Sequence, residues 1–305
     1  MPYCINQSLN AFCWLLLCAA CFVAAGCSSV WRQGPVSRSV AESRQLTQSG
    51  MAAIERGDWQ LAENELSKAI AACPTDAEAR LRYAETQLAH GRSQVAIEHL
   101  EEARRLSNND PRITTRAGEV YLAMGRAEEA AQRADLAIAR DPGAYAAWAL
   151  RGRAMRALQR PSNSLADLQR ALSHRPDDPQ LLAEIAELHR QLNQPRRALL
   201  ALQSCCETYR VGEEPTRLLE MQGEAFAALG RYDDAVDVYA ACAAREPTNP
   251  GHFYQLARVR LQQGDTVGSE SALRQALALD PRHAPSLRLA EQMNPAVAAL
   301  PLTQR

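Results

Sequence analysis

Small residues return at a fixed step along most of the chain. Gly50, Ala84, Gly118 and Gly152 each lie 34 residues after the last, followed by Ala186. Ala62, Ala96, Ala130, Ser164 and Ala198 keep the same step, as do Ala69, Ala103, Ala137, Ala171 and Cys205. Three additional residues, Glu213-Glu214-Pro215, shift the frame once. The period then resumes with Gly223, Ala235 and Cys242, and again with Ala257, Ser269 and Ala276. Seven copies fit, at 43–76, 77–110, 111–144, 145–178, 179–212, 216–249 and 250–283. Each holds two amphipathic stretches, so each predicts a pair of helices. Gly57, Gly91, Gly125, Gly230 or Gly264 divides the two stretches, and glycine accepts the left-handed conformation that ends a helix. Copies four and five have Gln159 and Asn193 there, each followed two residues later by a proline, Pro161 or Pro195, suited to opening the next helix. Small residues at the eighth, twentieth and twenty-seventh positions let the paired helices approach closely.

This pattern resembles the tetratricopeptide repeat, whose period is 34 residues and whose consensus runs W-x2-L-G-x2-Y…A-x3-F…P. Copy four matches it with Trp148, Gly152, Leu168 and Pro176. Copy six matches with Leu219, Gly223, Phe226, Ala235, Tyr239 and Pro247. Pro74, Pro142 and Pro281 fill the closing position of copies one, three and seven, whereas Asn108 and Arg210 stand there in copies two and five. The resemblance implies an all-α TPR solenoid, a right-handed superhelix of helix-turn-helix repeats. A single repeat cannot bury its apolar face, so neighbours must stack. Residues 284–293, APSLRLAEQM, with Leu287 and Leu289, suit a capping helix, and residues 294–305 read as a frayed tail.

The N-terminus has a different character. Residues 11–26, AFCWLLLCAACFVAAG, carry no charge. As a helix they would span about 24 Å, short of the roughly 30 Å hydrocarbon core of a bilayer. The run closes in small residues, as a signal-peptidase site requires. Ala24-Ala25-Gly26-Cys27 resembles the lipobox of bacterial lipoprotein precursors. That resemblance implies a signal peptide over 1–26 and lipidation of Cys27. Residues 28–42, SSVWRQGPVSRSVAE, are polar, contain Gly34 and Pro35 and show no sustained helical face, so 27–42 reads as the lipidated Cys and a flexible tether. Ser28 in place of Asp implies the outer membrane, facing the periplasm. Residues 1–10 contain no Lys or Arg, which leaves open an uncleaved helix anchoring a cytosolic regulator or co-chaperone at the inner membrane. Cys18 and Cys21 form a C-x-x-C pair, but no second pair or histidine follows at metal spacing, and they read as filler of the apolar run.

Composition narrows the function further. Lys and Arg number 34 and Asp and Glu 35, a formal charge of −1, which gives no broad attraction to nucleic acid. No phosphate-binding glycine loop, nucleophile elbow or zinc-binding histidine pair occurs, and the six histidines are scattered. The chain therefore reads as a non-enzymatic scaffold without cofactor or metal. Cys205 and Cys242 occupy positions that other copies give to alanine and read as small buried hydrophobes, a vicinal Cys205-Cys206 pair being the alternative.

A surface remains as the working part. In the tetratricopeptide family the second, fifth, ninth, twelfth and thirteenth positions of the first helix line a concave groove. Carried over, the ninth position gives Met51, Glu85, Glu119, Arg153, Glu187, Glu224 and Arg258. The second gives Arg44, Glu78, Arg112 and Arg217, the fifth Thr47, Leu81, Thr115 and Tyr254, and the twelfth Arg156 and Arg190. Arg112, Glu119, Arg153, Arg156, Glu187 and Arg190 are thus the candidate peptide-binding set in the central copies. An arginine fork suits the carboxylates and carbonyls of an extended peptide. The opposing reading is that Glu119 and Glu187 neutralise the arginines and leave a merely soluble face. The chaperone-binding clamp of the family needs Lys and Asn where Thr47 and Met51 stand, which speaks against that ligand. The resemblance implies a protein or peptide partner, as in lipoproteins that assemble envelope machinery such as pilus secretins.

Overall fold

The computed structural model describes residues 35–293. The lipobox, Cys27 and the tail from 294 lie outside the described residues. Each amphipathic stretch of the repeat forms a helix. The first helices, labelled in chain order, are α1 (Pro35–Glu55), α3 (Ala77–Ala89), α5 (Pro111–Ala123), α7 (Tyr145–Ala157), α9 (Pro179–Gln191), α11 (Thr216–Ala228) and α13 (Pro250–Gln263). The second helices are α2 (Trp59–Ala72), α4 (Ser93–Leu106), α6 (Ala127–Arg140), α8 (Pro161–His174), α10 (Pro195–Glu207), α12 (Tyr232–Arg245) and α14 (Thr266–Leu279), and α15 (Ala284–Met293) ends the stack. No strand occurs among the described residues.

The helices divide into two compact units, with the boundary inside α5 between Ala117 and Gly118. In the first unit, α1 packs on α2 and α3 on α4, and α2 leans on α3. Ala53, Ala62 and Leu66 form its core beside Tyr83. Aspartates, Asp58 and Asp76, cap the starts of α2 and α3. Asp76 accepts hydrogen bonds from the Glu78 and Ala79 amides at 3.0 and 3.1 Å, and from the Ser43 hydroxyl at 2.8 Å, so one carboxylate caps α3 and ties it to α1. Helix α1 begins at Pro35, not at Ser43, so residues 35–42 are helical where a tether was expected. Proline fits a first helical position because its missing N–H would be unpaired there anyway, and no breaker follows before Gly50.

The second unit repeats the same hairpins, α7 with α8 through α13 with α14, each second helix meeting the next first helix. Where the helices of a pair cross there is no room for a side chain. A Cβ on Gly152 would lie 2.8 Å from Leu168 Cγ, and one on Gly223 2.7 Å from the Tyr239 ring. Leu168 and Tyr239 are themselves wholly buried. The twentieth and twenty-seventh positions of every copy are buried, from Ala62 and Ala69 to Ser269 and Ala276. In α15, Leu289 packs at 6% exposure, but Leu287 is 40% exposed and takes no part in the cap. Both lie on a short helix, and only the side facing α13 and α14 is covered.

The turns follow the glycine pattern, Gly57 taking φ +76° for instance. Gln159 and Asn193 take the same left-handed region, at φ +58° and +55°, without glycine's freedom. Pro161 and Pro195 then open α8 and α10. Asn108 and Asn109 are both left-handed, at +53° and +60°, a conformation that proline at Asn108 would forbid.

Two substitutions test this packing by denaturant unfolding. Gln159→Gly removes a side chain from a left-handed site and should raise stability by up to about 1 kcal/mol. Leu168→Ala should lower it by about 2–5 kcal/mol, because a rigid pair leaves a cavity.

Candidate functional site

The candidate arginines lie on first helices; Arg112 and Arg153 take carboxylate partners from neighbouring repeats, and Arg190 takes one from its own helix. In the first unit, Arg112 on α5 donates to Glu78 Oε2 on α3 at 2.5 Å. Arg82 bridges Glu78 and Glu85 at 2.7 and 3.0 Å. Burial opposes ionisation of Glu78, but the two arginines outweigh it and hold its carboxyl below the usual carboxylate range.

In the second unit, Arg153 on α7 grips Glu184 on α9, with Nε at 2.9 Å and Nη2 at 2.8 Å. Arg190 holds Glu187 at 2.6 and 2.8 Å and stands 3.9 Å from Glu224 on α11. The Arg190 hydrogen bonds keep the Glu187 carboxyl below its ordinary range. Glu119 is half-buried and is not free either. Arg156 differs from these residues. It is half-buried on the last turn of α7, and its side chain has no hydrogen bond or ion pair to a described residue. A small cavity of about 100 Å³ lies nearby in the repeat order, between α9, α10 and α11. Ala186, Ala198, Leu202 and Met221 give it an apolar wall, and Arg190 and Glu224 add charge.

The fifth-position residues depart from the expectation. Thr47, Leu81 and Thr115 are buried at 3–5% exposure and cannot meet a ligand. They sit one turn before the close-contact eighth position and share its packed face. Tyr254 stays partly open and meets His283 edge-on.

Sequence pattern missed two features. Arg151 makes two bonds to the buried Asp167, at 2.7 and 2.9 Å, reaches Asp135 at 2.8 Å and stacks over Trp148. None of these three polar positions repeats, so the period carries no sign of them. Glu184 lies outside the groove positions of the family, and only its distance from Arg153 marks it as that residue's partner.

Other chemical groups serve packing. His189 is buried and its Nδ1 meets Gln194 Oε1 at 2.9 Å, locking the α9–α10 turn. Cys205 donates to the Pro179 carbonyl at 3.2 Å, and burial pushes its thiol up to about 11, as it does for Cys242. All four described cysteines are unbridged. Among the described residues no cluster of three His, Cys, Asp or Glu side chains could hold a metal ion, and no helix is long and apolar enough to cross a membrane.

The geometry defines a class first: stacked helical hairpins whose exposed first-helix surface carries the variation. Two tetratricopeptide-repeat family models match, one at residues 88–154 and 226–293 and the other at 47–111 and 183–250, and the chain belongs to the tetratricopeptide repeat family. Among solved structures, PilW, a widely conserved type IV pilus biogenesis factor, is similar at 22% identity and TM-score 0.61, over 71% of this chain and 97% of its own. Pseudomonas aeruginosa PilF is similar at 19% identity and TM-score 0.60, over 68% and 93%. YrrB, a TPR protein with an unusual peptide-binding site, is similar at 20% identity and TM-score 0.59, over 64% and 99%. At these identities the likeness is one of fold. No curated protein matches the sequence.

Arg153→Gln strands the part-buried Glu184 and should cost about 1–3 kcal/mol of stability. Arg156→Gln should stay within about 0.5 kcal/mol of the parent by the same denaturant measurement. Acid should act through Glu78 and Glu187. Their carboxyls are depressed in the folded chain, so their contribution is present above about pH 4.3, the unfolded value, and is lost as pH falls through the folded values. Unfolding midpoints between neutral and strongly acidic pH should fall in that window, and Arg190→Gln should make the fall shallower.

Proposed function

We propose that this chain is a lipid-anchored, non-catalytic scaffold whose first-helix surface in the second unit holds a segment of a partner protein. One observation carries the reading: Arg156 is the uncompensated cation of a set in which Arg153 and Arg190 already have carboxylates. Its guanidinium is partly open to solvent and free to donate to a ligand. Its planar fork fits a carboxylate or two backbone carbonyls of an extended segment. The cavity walled by Leu202 and Met221 would take an apolar side chain of the same segment. Peptide holding by a protein of this fold has a parallel in YrrB, with its unusual peptide-binding site.

The anchor rests on Ala24-Ala25-Gly26-Cys27, with Cys27 as the acylated residue and Ser28 directing the protein to the outer membrane, facing the periplasm. Assembly of an envelope complex is then the natural setting, and the part PilW plays in type IV pilus biogenesis agrees with it. The uncharged residues 1–10 support a second reading, an uncleaved helix holding a cytosolic regulator or co-chaperone at the inner membrane.

Labelled palmitate and globomycin separate the two. The first reading expects label that Cys27→Ser abolishes, and a precursor that accumulates under globomycin. Absence of both, with a C-terminal reporter active only in the cytoplasm, would replace it with the second. For the surface, partner recovered with the chain after crosslinking should fall about tenfold on Arg156→Glu. Unchanged recovery would defeat the binding proposal while leaving the anchor standing.

A further inference from the structure

The outer side of the fifth repeat departs from its six fellows in three ways, all at one place. Leu200 is 64% exposed, at a position where the other copies have Asn64, Glu98, Gln132, Ala166, Asp237 and Ser271. It lies two residues from both Ala198 and Leu202, which face the cavity described above, so it points to the far side of α10. Arg196 and Arg197 occupy the first turn of α10. The third and sixth copies place Glu128-Glu129 and Asp233-Asp234 at those positions, and no other copy has a cation there. Cations at a helix N-terminus oppose the dipole, at roughly 0.3–1 kcal/mol each. The repeat fold therefore gains nothing from an exposed leucine or from two arginines at this end of a helix.

The surface they form is open and only shallowly indented. Two adjoining depressions of about 490 and 460 Å³ share Arg196 and Leu229. Leu199, Leu200 and Leu229 floor the first, with Arg196 and Arg231 beside them. Pro195, Arg196 and Arg197 line the second. Arg231 already holds Asp234 at 2.7 Å. Arg197 reaches only the Gln194 amide oxygen, at 3.4 Å, and Arg196 has no ion pair among the described residues.

From the exposed leucine and the two uncompensated arginines we infer a second docking surface, on the outer side of α10, for a partner segment that carries acidic residues beside an apolar one. The apolar side chain covers Leu200 and Leu229, and its carboxylates meet Arg196 and Arg197. This surface lies on the other side of α10 from the cavity of the first, the two meeting at Pro195, and it stands whether or not that one binds.

The test is a random linear peptide library selected on the full chain and counter-selected on Arg196→Glu/Arg197→Glu/Leu200→Ser. These side chains are exposed, and circular dichroism checks that the variant folds. Leu200→Ser alone serves if the triple variant does not. Enriched peptides should carry Asp or Glu beside an apolar residue and lose about tenfold or more in affinity on the variant. Peptides without acidic residues, or equal affinity for parent and variant, would overturn the inference. Co-sedimentation of parent but not variant with phosphatidylglycerol vesicles would overturn it in favour of a membrane surface. A dimer in analytical ultracentrifugation that the variant abolishes would overturn it in favour of a second copy of the chain.

Discussion

Everything in this molecule depends on how closely two helices can approach. At the crossing of each hairpin the backbone of one helix touches a large side chain of the other, as Gly152 touches Leu168 and Gly223 touches Tyr239. Where glycine stands even a Cβ would clash; other copies place alanine there, and the twentieth and twenty-seventh positions take only alanine, serine or cysteine. That restriction recurs every 34 residues and is what makes the period visible. It also explains the cysteines: Cys205 and Cys242 replace alanine at a wholly buried position, and burial keeps their thiols protonated.

Once the crossings are fixed, the rest of each repeat is free to vary, and variation on the exposed faces has two outcomes. Some charges are absorbed into ion pairs between successive repeats, such as Arg112 with Glu78 within the first unit and Arg153 with Glu184 within the second. The first of these is exposed, whereas the part-buried Arg153–Glu184 pair ties one hairpin to the next. Others, Arg156 on a first helix and Arg196 on a second, stay uncompensated.

The fold was legible because its cause is periodic. The twentieth and twenty-seventh positions, the turn glycines and the prolines opening α8 and α10 all follow from small-residue spacing and backbone chemistry. The left-handed Gln159 and Asn193 were marked by standing where glycine stands elsewhere. The surface was only half legible. Position within the repeat put Arg153, Arg156 and Arg190 on first helices, but it could not say which were already neutralised, because Glu184 lies outside the groove positions. It also misplaced Thr47, Leu81 and Thr115, since the fifth position lies on the same packed helix face as the eighth. Residues 35–42 lacked an apolar face, yet they continue α1 because helix length there is set by the absence of a breaker.

Hydrogen–deuterium exchange on the full chain, alone and in the complex recovered with its crosslinked partner, tests the central claim most directly. If the first-helix surface around Arg156 holds the partner, residues 145–157 and 179–191 should exchange more slowly in the complex, while 161–174 changes little. Slowing confined to the second helices, or unaltered by Arg156→Glu, would contradict the account.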